Sequence, residues 1–113
     1  MKRVDKPWGH ELIWAHTDKY VGKVLHIEKG HKLSLQYHEV KDETIYIASG
    51  VMDLVLQKDG KEWTERLEQG QSYHIPTGTI HRMVAVETCD AFEVSTPELD
   101  DVVRISDEYG RSN

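Results

Sequence analysis

The chain has 113 residues, of which 38% are hydrophobic and 30% charged, so we expect one globular domain over residues 1–113. Its net charge of −6, with the histidines neutral, argues against a nucleic-acid partner because an acidic surface repels phosphate backbones. No segment approaches the ~20 apolar residues of a membrane-spanning helix, and no apolar stretch follows the basic N-terminus as in a secretory signal. We therefore expect no membrane partner.

Two further expectations follow from the cysteine content and the size. Cys89 is the only cysteine, so an internal disulfide framework is impossible and the cytoplasm is the expected location. A chain this short buries only about two-thirds of the surface that its unfolded form exposes. We therefore expect a homodimer, which would cover more of that surface.

The predicted elements are short strands separated by glycine-containing turns. In chain order, the strands are predicted at residues 10–15, 20–28, 33–38, 43–48, 51–58, 61–66, 71–75, 80–86 and 91–96. The pair Asp59-Gly60 predicts a two-residue hairpin of type I′. Residues 100–111 are ambiguous and fit a final strand followed by an irregular or one-turn helical end. Many short strands with glycine-rich turns predict an all-β sandwich or barrel.

The predicted strand at 33–38 has one polar and one apolar face. Side chains alternate across a strand, so Ser34, Gln36 and His38 share a face opposite Leu33, Leu35 and Tyr37. A polar face of this kind is either solvent-exposed or lines a cavity. We interpret the tryptophans as core or interface anchors: Trp8, Trp14 and Trp63.

Two spaced motifs resemble those of the cupin superfamily. They read Gly30-x5-Gln36-x-His38-x4-Glu43-x6-Gly50 and Gly70-x5-Pro76-x-Gly78-x2-His81. Gln36 replaces the usual first histidine, and Ala85 stands where the second motif usually ends in asparagine. The resemblance implies an all-β, single-domain cupin, that is, a double-stranded β-helix or jelly-roll barrel.

The same resemblance implies a metal site made by Gln36, His38, Glu43 and His81. Two imidazoles, a carboxylate and an amide oxygen suit one divalent ion of Zn, Mn, Fe, Co or Ni. Gln36 would be the weakest ligand of the four because a neutral amide binds metals poorly, and the alternative role is a hydrogen bond to a bound water. Coordination positions left open by the protein would admit water or a substrate.

A narrower resemblance is to the cupin domain of type II mannose-6-phosphate isomerases, which also forms the C-terminal part of mannose-1-phosphate guanylyltransferase/isomerases. It rests on Leu33-Ser34-Leu35-Gln36-x-His38, on the entry Pro7-Trp8-Gly9, on residues 72–82, and on residues 100–111 with their Tyr-Gly-Arg ending. The chain departs from that family at Lys41, where arginine is usual, and at Glu39 and Val40, where histidines are usual. Lysine binds phosphate only as a point charge, whereas arginine binds it bidentately.

This resemblance implies metal-assisted proton transfer on a sugar or sugar phosphate, with a small sugar-like molecule as the partner. The candidates for the general base are Glu43, His26 and Lys41. The candidates for anion binding are Lys23, Arg82 and Arg104. Two other functions fit the same residues: a metal-dependent dioxygenase or related small-cupin enzyme, and a non-catalytic domain that binds a carbohydrate or a small acid.

Overall fold

The computed structural model describes residues 1–111, which form two antiparallel sheets and no helix. Within these residues there is accordingly no helix that could cross a membrane. The strands are β1 Lys2–Lys6, β2 Gly9–His16, β3 Val21–Ile27, β4 Leu35–Tyr37, β5 Glu43–Ser49, β6 Val51–Lys58, β7 Lys61–Glu68, β8 Ser72–Ile75, β9 Ile80–Ala85, β10 Cys89–Ser95 and β11 Val103–Ser106. The all-β prediction is thus confirmed.

Nine of these strands coincide with predicted ones, with ends that differ by up to two residues. The hairpin is also confirmed, because Asp59 and Gly60 both have positive φ angles, 53° and 76°, as a type I′ turn requires. Strand β11 is the final strand expected in the tail, and an irregular end follows it. Strand β1 was not predicted, since four of its five residues are charged and it is an edge strand that pairs only with β2.

The chain passes repeatedly between the two sheets. One sheet has the order β1-β2-β3-β10-β5-β8 and the other β11-β4-β9-β6-β7. Inward side chains meet between them in a core that includes Ile45, Ile47, Leu54, Leu56 and Met83. Alternation along β5 places Glu43 in the same inward row as Ile45 and Ile47. The strand that supplies the core therefore also carries a carboxylate into the interior.

Gly50 and Gly70 provide a matched test of steric fit, because their φ angles are nearly equal, +87° and +90°. A Cβ at Gly50 would lie 2.2 Å from the carbonyl oxygen of Thr88, whereas a Cβ at Gly70 would meet nothing within 4 Å. Gly70→Ala should lower the free energy of unfolding by about 1–2 kcal/mol, the cost of left-handed backbone. Gly50→Ala should cost a further ~1–3 kcal/mol for the overlap. Urea unfolding of both variants measures the difference, and equal losses would contradict it.

Candidate metal centre

Three buried side chains from separate parts of the chain meet at one point. His38 follows β4 directly, Glu43 begins β5, and His81 lies in β9, which pairs with β4 at Gln36. Glu43 Oε1 lies 2.9 Å from His38 Nε2 and 3.2 Å from His81 Nε2. The potential ligand atoms of the three residues all lie within 4.8 Å of one another. Turns and strand ends therefore bring together residues that are up to 43 positions apart in the sequence.

Backbone carbonyls fix the orientation of both imidazoles. His38 Nδ1 donates to the carbonyl of Asp101, and His81 Nδ1 donates to the carbonyl of Thr79 at 2.9 Å. In the neutral tautomer each Nε2 then carries a lone pair rather than a proton. His81 Nε2 is buried and makes no well-directed hydrogen bond. In that tautomer two nitrogen lone pairs and a carboxylate oxygen face one another, an arrangement that is unfavourable unless a cation or a proton lies among them.

The second oxygen of Glu43 faces a buried ammonium. Lys41 Nζ lies 3.6 Å from Glu43 Oε2 and 3.3 Å from Glu93 Oε2. Burial alone would raise the pKa of Glu43, but its close contacts with His38, His81 and Glu93, together with the charge of Lys41, hold it well below its usual range. Glu43 is therefore an anion, the form that binds a metal.

This ion pair belongs to a longer buried array of alternating charges. Lys23 Nζ lies 3.7 Å from Glu93 Oε2 and 3.5 Å from Glu11 Oε2. Burial, followed by the charge of Glu43, raises the pKa of Glu93 to about 7, against the lowering effect of the lysines. The array runs in the order Glu11, Lys23, Glu93, Lys41 and Glu43. It connects β2, β3 and β10 to the candidate metal ligand.

Lys41 was predicted as a candidate general base, and its surroundings do not suit that role. Although burial lowers the pKa of Lys41, the carboxylates of Glu93 and Glu43 raise it above the usual value. Lys41 therefore stays protonated near neutral pH and has no lone pair with which to accept a proton. Its position suits it to hold two carboxylates in place.

A cavity of about 100 Å³ opens beside the three side chains. Its ionisable lining comprises five basic residues and three acidic ones besides His38: Lys6, Lys23, Lys41, Arg104 and Arg111, and Glu11, Glu43 and Glu93. A pocket with this excess of basic groups contrasts with the chain's net charge of −6. Two of the three predicted anion-binding residues, Lys23 and Arg104, line this cavity.

Gln36 also lines this cavity, as its place on the polar face of β4 predicts. Ser34 and His38 line it too, so that face is turned to a cavity rather than to bulk solvent. Gln36 Oε1 accepts a hydrogen bond of 3.0 Å from Ser34 Oγ, which orients the amide. Gln36 as a metal ligand stays a prediction.

His26 and Arg82 lie elsewhere, which corrects their predicted placement. On β3 the inward row is Lys23, Leu25 and Ile27, so His26 points to the opposite face. Arg82 follows His81 and points away from it, and its guanidinium donates to the carbonyls of Leu33 and Ser106. Arg82 therefore links β9 to its neighbouring chain segments, and neither residue lines the cavity.

His26 is instead part of an ion-paired cluster on the outer face. Its Nδ1 lies 2.7 Å from Asp90 Oδ1 and its Nε2 lies 3.1 Å from Glu28 Oε1. The hydrogen bond to Asp90, aided by that to Glu28, raises the pKa of His26 above 6.5 although partial burial opposes this. A raised folded-state pKa stabilises the protein fully below pH 6.5, and this stabilisation is lost as the pH rises through the folded value.

The free energy of unfolding should therefore fall more between about pH 6 and pH 8 in the unmodified protein than in His26→Gln. Urea unfolding at both pH values measures this slope. His16→Gln, at an exposed histidine on β2, is the control and should keep the original slope. An unchanged slope in His26→Gln would contradict the assignment.

Sequence reasoning did not identify Glu11 and Glu93 as cavity residues, because it did not establish which face of β2 and of β10 points inward. Glu93 and Glu11 point inward because Ala91 and Leu25, their neighbours in the inward rows of the sheet, also do. On β10 the inward residues are Cys89, Ala91, Glu93 and Ser95, while the larger apolar Phe92 and Val94 point outward. Hydrophobicity alone suggests the reverse orientation, so the sequence held no clear signal for Glu93.

The tail holds the loop before Glu43 in place. The carboxylate of Asp101 accepts hydrogen bonds from the backbone N–H groups of Glu39, Val40 and Lys41, at 2.7–3.1 Å. These bonds hold the pKa of Asp101 below its usual value. Because the carbonyl of Asp101 also orients His38, one residue of the tail fixes both the loop and a candidate ligand.

The comparisons with known proteins agree with this geometry. Residues 23–95 match the family model described as a cupin domain. The chain is 29% identical to mannose-1-phosphate guanylyltransferase of Escherichia coli over 115 residues, which cover 97% of this chain and 23% of that protein. It is also 29% identical to the alginate biosynthesis protein AlgA of Pseudomonas aeruginosa, over 96% of this chain and 23% of that protein. The chain thus spans about a quarter of the length of these relatives.

Solved structures share the fold. The structure of KdgF from Halomonas sp. superposes with a TM-score of 0.76 at 24% identity, over 88% of this chain and 91% of that chain. An oxalate decarboxylase variant from B. subtilis superposes with a TM-score of 0.82 at 13% identity, over 92% of this chain and 30% of that chain. At these identities the likeness concerns the fold alone.

Proposed function

Because this chain belongs to the cupin family, we propose that it is a metal-dependent cupin acting on a sugar or sugar phosphate by metal-assisted proton transfer. The observation that carries the proposal is the convergence of His38 Nε2, His81 Nε2 and Glu43 Oε1 beside a cavity. Their orientation leaves three electron-pair donors facing one another, which suits a divalent cation.

In this proposal His38, His81 and Glu43 hold the ion, with Gln36 as a fourth ligand. When bound, a divalent metal acts as a Lewis acid that polarises a carbonyl group and stabilises the negative charge that develops on its oxygen. The backbone carbonyls of Asp101 and Thr79 orient the two imidazoles, and Lys41 holds the free oxygen of Glu43. The site is therefore organised before any ligand arrives.

The cavity's charges support an anionic, sugar-like substrate. Lys23 and Arg104 are proposed to bind its charged group, with Lys6 and Arg111 beside them. The cavity contains two carboxylates besides that of Glu43, those of Glu11 and Glu93. We propose that one of these two carries the proton during the transfer. The name of the Escherichia coli relative refers to a mannose phosphate, which supports this substrate class.

The test combines metal analysis with an exchange experiment. Elemental analysis of protein purified without chelators should find about one Zn, Mn, Fe, Co or Ni per chain. The metal-loaded protein is then incubated with hexose 6-phosphates in D₂O. Deuterium should enter at C1 or C2, because proton transfer through an ene-diol exchanges that proton with solvent.

His81→Ala serves as the control without a complete metal site, and it should give no deuterium incorporation. If the metal-loaded protein exchanges no deuterium into any hexose phosphate, the proposal of metal-assisted proton transfer on a sugar phosphate is rejected. Iron in the purified protein together with O₂ uptake would instead support the dioxygenase alternative. Metal-independent ligand binding without turnover would support a non-catalytic role.

A further inference from the structure

The turn between β1 and β2 brings two side chains to the cavity beside the candidate metal centre. Lys6 ends β1 and Trp8 lies in the turn, and both residues line the cavity. Close contacts hold this turn against the end of β3. The backbone N–H of Glu28 donates to the carbonyl of Trp8 at 2.9 Å, and a Cβ at Gly9 would lie 1.9 Å from the carbonyl oxygen of His26. The backbone that carries Lys6 and Trp8 is therefore fixed in position.

Trp8 carries a hydrogen-bond donor that has no acceptor in the described part of the chain. The residue is only 2% exposed, and its indole N–H makes no hydrogen bond with any group of residues 1–111. Leaving a buried donor unpaired is unfavourable, and the N–H of a buried tryptophan usually has a partner. Because Trp8 lines the cavity, an oxygen atom of a ligand bound there would supply the acceptor.

Lys6 differs from the other lysines of the cavity because no carboxylate neutralises its charge. Lys23 and Lys41 each lie 3.3–3.7 Å from two buried carboxylates. Arg111 is also engaged, since its guanidinium donates twice to the carboxylate of Asp107, at 2.9 Å and 3.1 Å. Lys6 forms no ion pair within residues 1–111. Its ammonium group is therefore available to an anion in the cavity.

Arg104 relates this charged end of the cavity to the candidate metal ligands. Arg104 on β11 pairs with Gln36 on β4, and Gln36 pairs with His81 on β9. Residues directly opposite each other on antiparallel strands point to the same face, so the three share one inward row. Neighbouring strands are about 4.8 Å apart, which places Arg104 roughly 10 Å from His81 along that row. An open-chain hexose 6-phosphate has a comparable length between its carbonyl carbon and its phosphorus.

We propose that Lys6 and Trp8, together with Arg104, form the subsite that binds the phosphate group of a sugar phosphate. Lys6 provides a charge that no carboxylate neutralises, the indole N–H of Trp8 donates a hydrogen bond to a phosphate oxygen, and Arg104 binds the phosphate from the other sheet. Lys6 and Trp8 are thus specificity residues, which distinguish a phosphate from a hydroxyl group at this end of the substrate. The inference rests on the proposed function for the sugar, but the subsite can be tested without turnover.

Titration calorimetry of the metal-loaded full chain with mannose 6-phosphate and with inorganic phosphate tests the subsite. Lys6→Met should raise both dissociation constants about 10-fold or more, because it removes a charge-assisted hydrogen bond to the group that the two probes share. Trp8→Phe keeps an aromatic ring but removes the N–H, and it should raise them about 5-fold. Lys2→Met, at an exposed lysine of the same strand, is the matched control and should change neither. Circular dichroism confirms that each variant is folded.

Fluorescence provides a readout that a purely structural role of Trp8 would not change. The chain has three tryptophans, so the double variant Trp14→Phe/Trp63→Phe leaves Trp8 as the single indole. Its emission should change saturably with mannose 6-phosphate, at the dissociation constant found by calorimetry. Adding Lys6→Met should move this change to about 10-fold higher concentrations. Emission that does not respond to a saturating concentration of mannose 6-phosphate would overturn the role of Trp8.

The outcomes separate this subsite from the proposed reaction. No saturable binding of either probe to the unmodified protein would overturn the subsite, and so would equal dissociation constants in Lys6→Met and the unmodified protein. Tighter binding of inorganic phosphate than of mannose 6-phosphate would overturn the assignment to a sugar phosphate. Binding that depends on Lys6, in a protein that exchanges no deuterium, would support the subsite and reject only the proton transfer.

Discussion

Replacement of His81 by alanine is expected to weaken divalent-metal binding at least ~100-fold while the two sheets stay folded. Loss of a residue that merely orients a ligand commonly costs 10–100-fold in metal affinity, and loss of a ligand should cost no less. His81 lies inside β9, whose backbone pairing with β6 does not depend on its side chain. Titration calorimetry with Zn²⁺ and Mn²⁺, alongside circular dichroism, measures binding and folding separately.

His38→Ala should have the same effect, because His38 Nε2 also contacts Glu43 Oε1, at 2.9 Å. His26→Ala is the matched control, since it removes an imidazole from the outer face of β3 rather than from the cavity. Metal affinity should be unchanged in that variant. If neither cavity variant loses metal, the convergence of the three side chains is not a metal site. If His26→Ala also loses it, the measured binding is not specific to this site.

Lys41→Met is expected to lower the free energy of unfolding by about 3–5 kcal/mol. Lys41 is the buried cation between the carboxylates of Glu43 and Glu93, and its removal leaves those carboxylates close together with less positive charge nearby. Breaking a buried ion pair from one side costs this amount because the remaining charge stays buried without its partner. Methionine keeps the approximate shape of the aliphatic stem, so the loss reports charge rather than volume.

Urea unfolding in the presence of a chelator measures this effect without a contribution from metal binding. Lys29→Met is the control, because Lys29 forms an exposed ion pair with Glu87 at 3.4 Å. Exposed pairs contribute about 0–1 kcal/mol, so the control should differ little from the unmodified protein. Equal losses in the two variants would show that the buried array does not contribute to stability in this way. A double variant with Glu93→Leu should recover part of the loss, since it removes one of the carboxylates left without Lys41.

The sequence was sufficient where local spacing decides the outcome. Strands bounded by glycines, and the hairpin at Asp59-Gly60, follow from turn chemistry and from side-chain alternation, both of which act over a few residues. His38, Glu43 and His81 each lie at or next to a turn, at the spacing of the cupin motifs. The resemblance to that superfamily therefore implied that the three side chains would lie close together. Strand β1 escaped prediction because its charged residues carry no apolar pattern.

The sequence was insufficient where a prediction depended on which face of a strand points inward. Lys23 and His26 were both placed at the site, yet residues three apart on one strand point to opposite faces, and only Lys23 lines the cavity. Arg82 is next to His81 on β9 and points away from the cavity for the same reason. Glu93 could not be found because β10 turns its larger apolar side chains outward, against the usual pattern.

By itself, the sequence determined the all-β fold and nine of the strands, because these depend on local alternation and turns. The three side chains that meet at the candidate centre were implied by the resemblance of its two spaced motifs to those of the cupin superfamily. Only the tertiary structure decided which neighbours those side chains have. The pairing of β3, β10 and β5 aligns Lys23, Glu93 and Glu43 in adjacent inward positions. It turns Phe92 and Tyr46 together toward solvent at the same time. Sheet register is a property of strand pairing between distant segments, and no single segment encodes it.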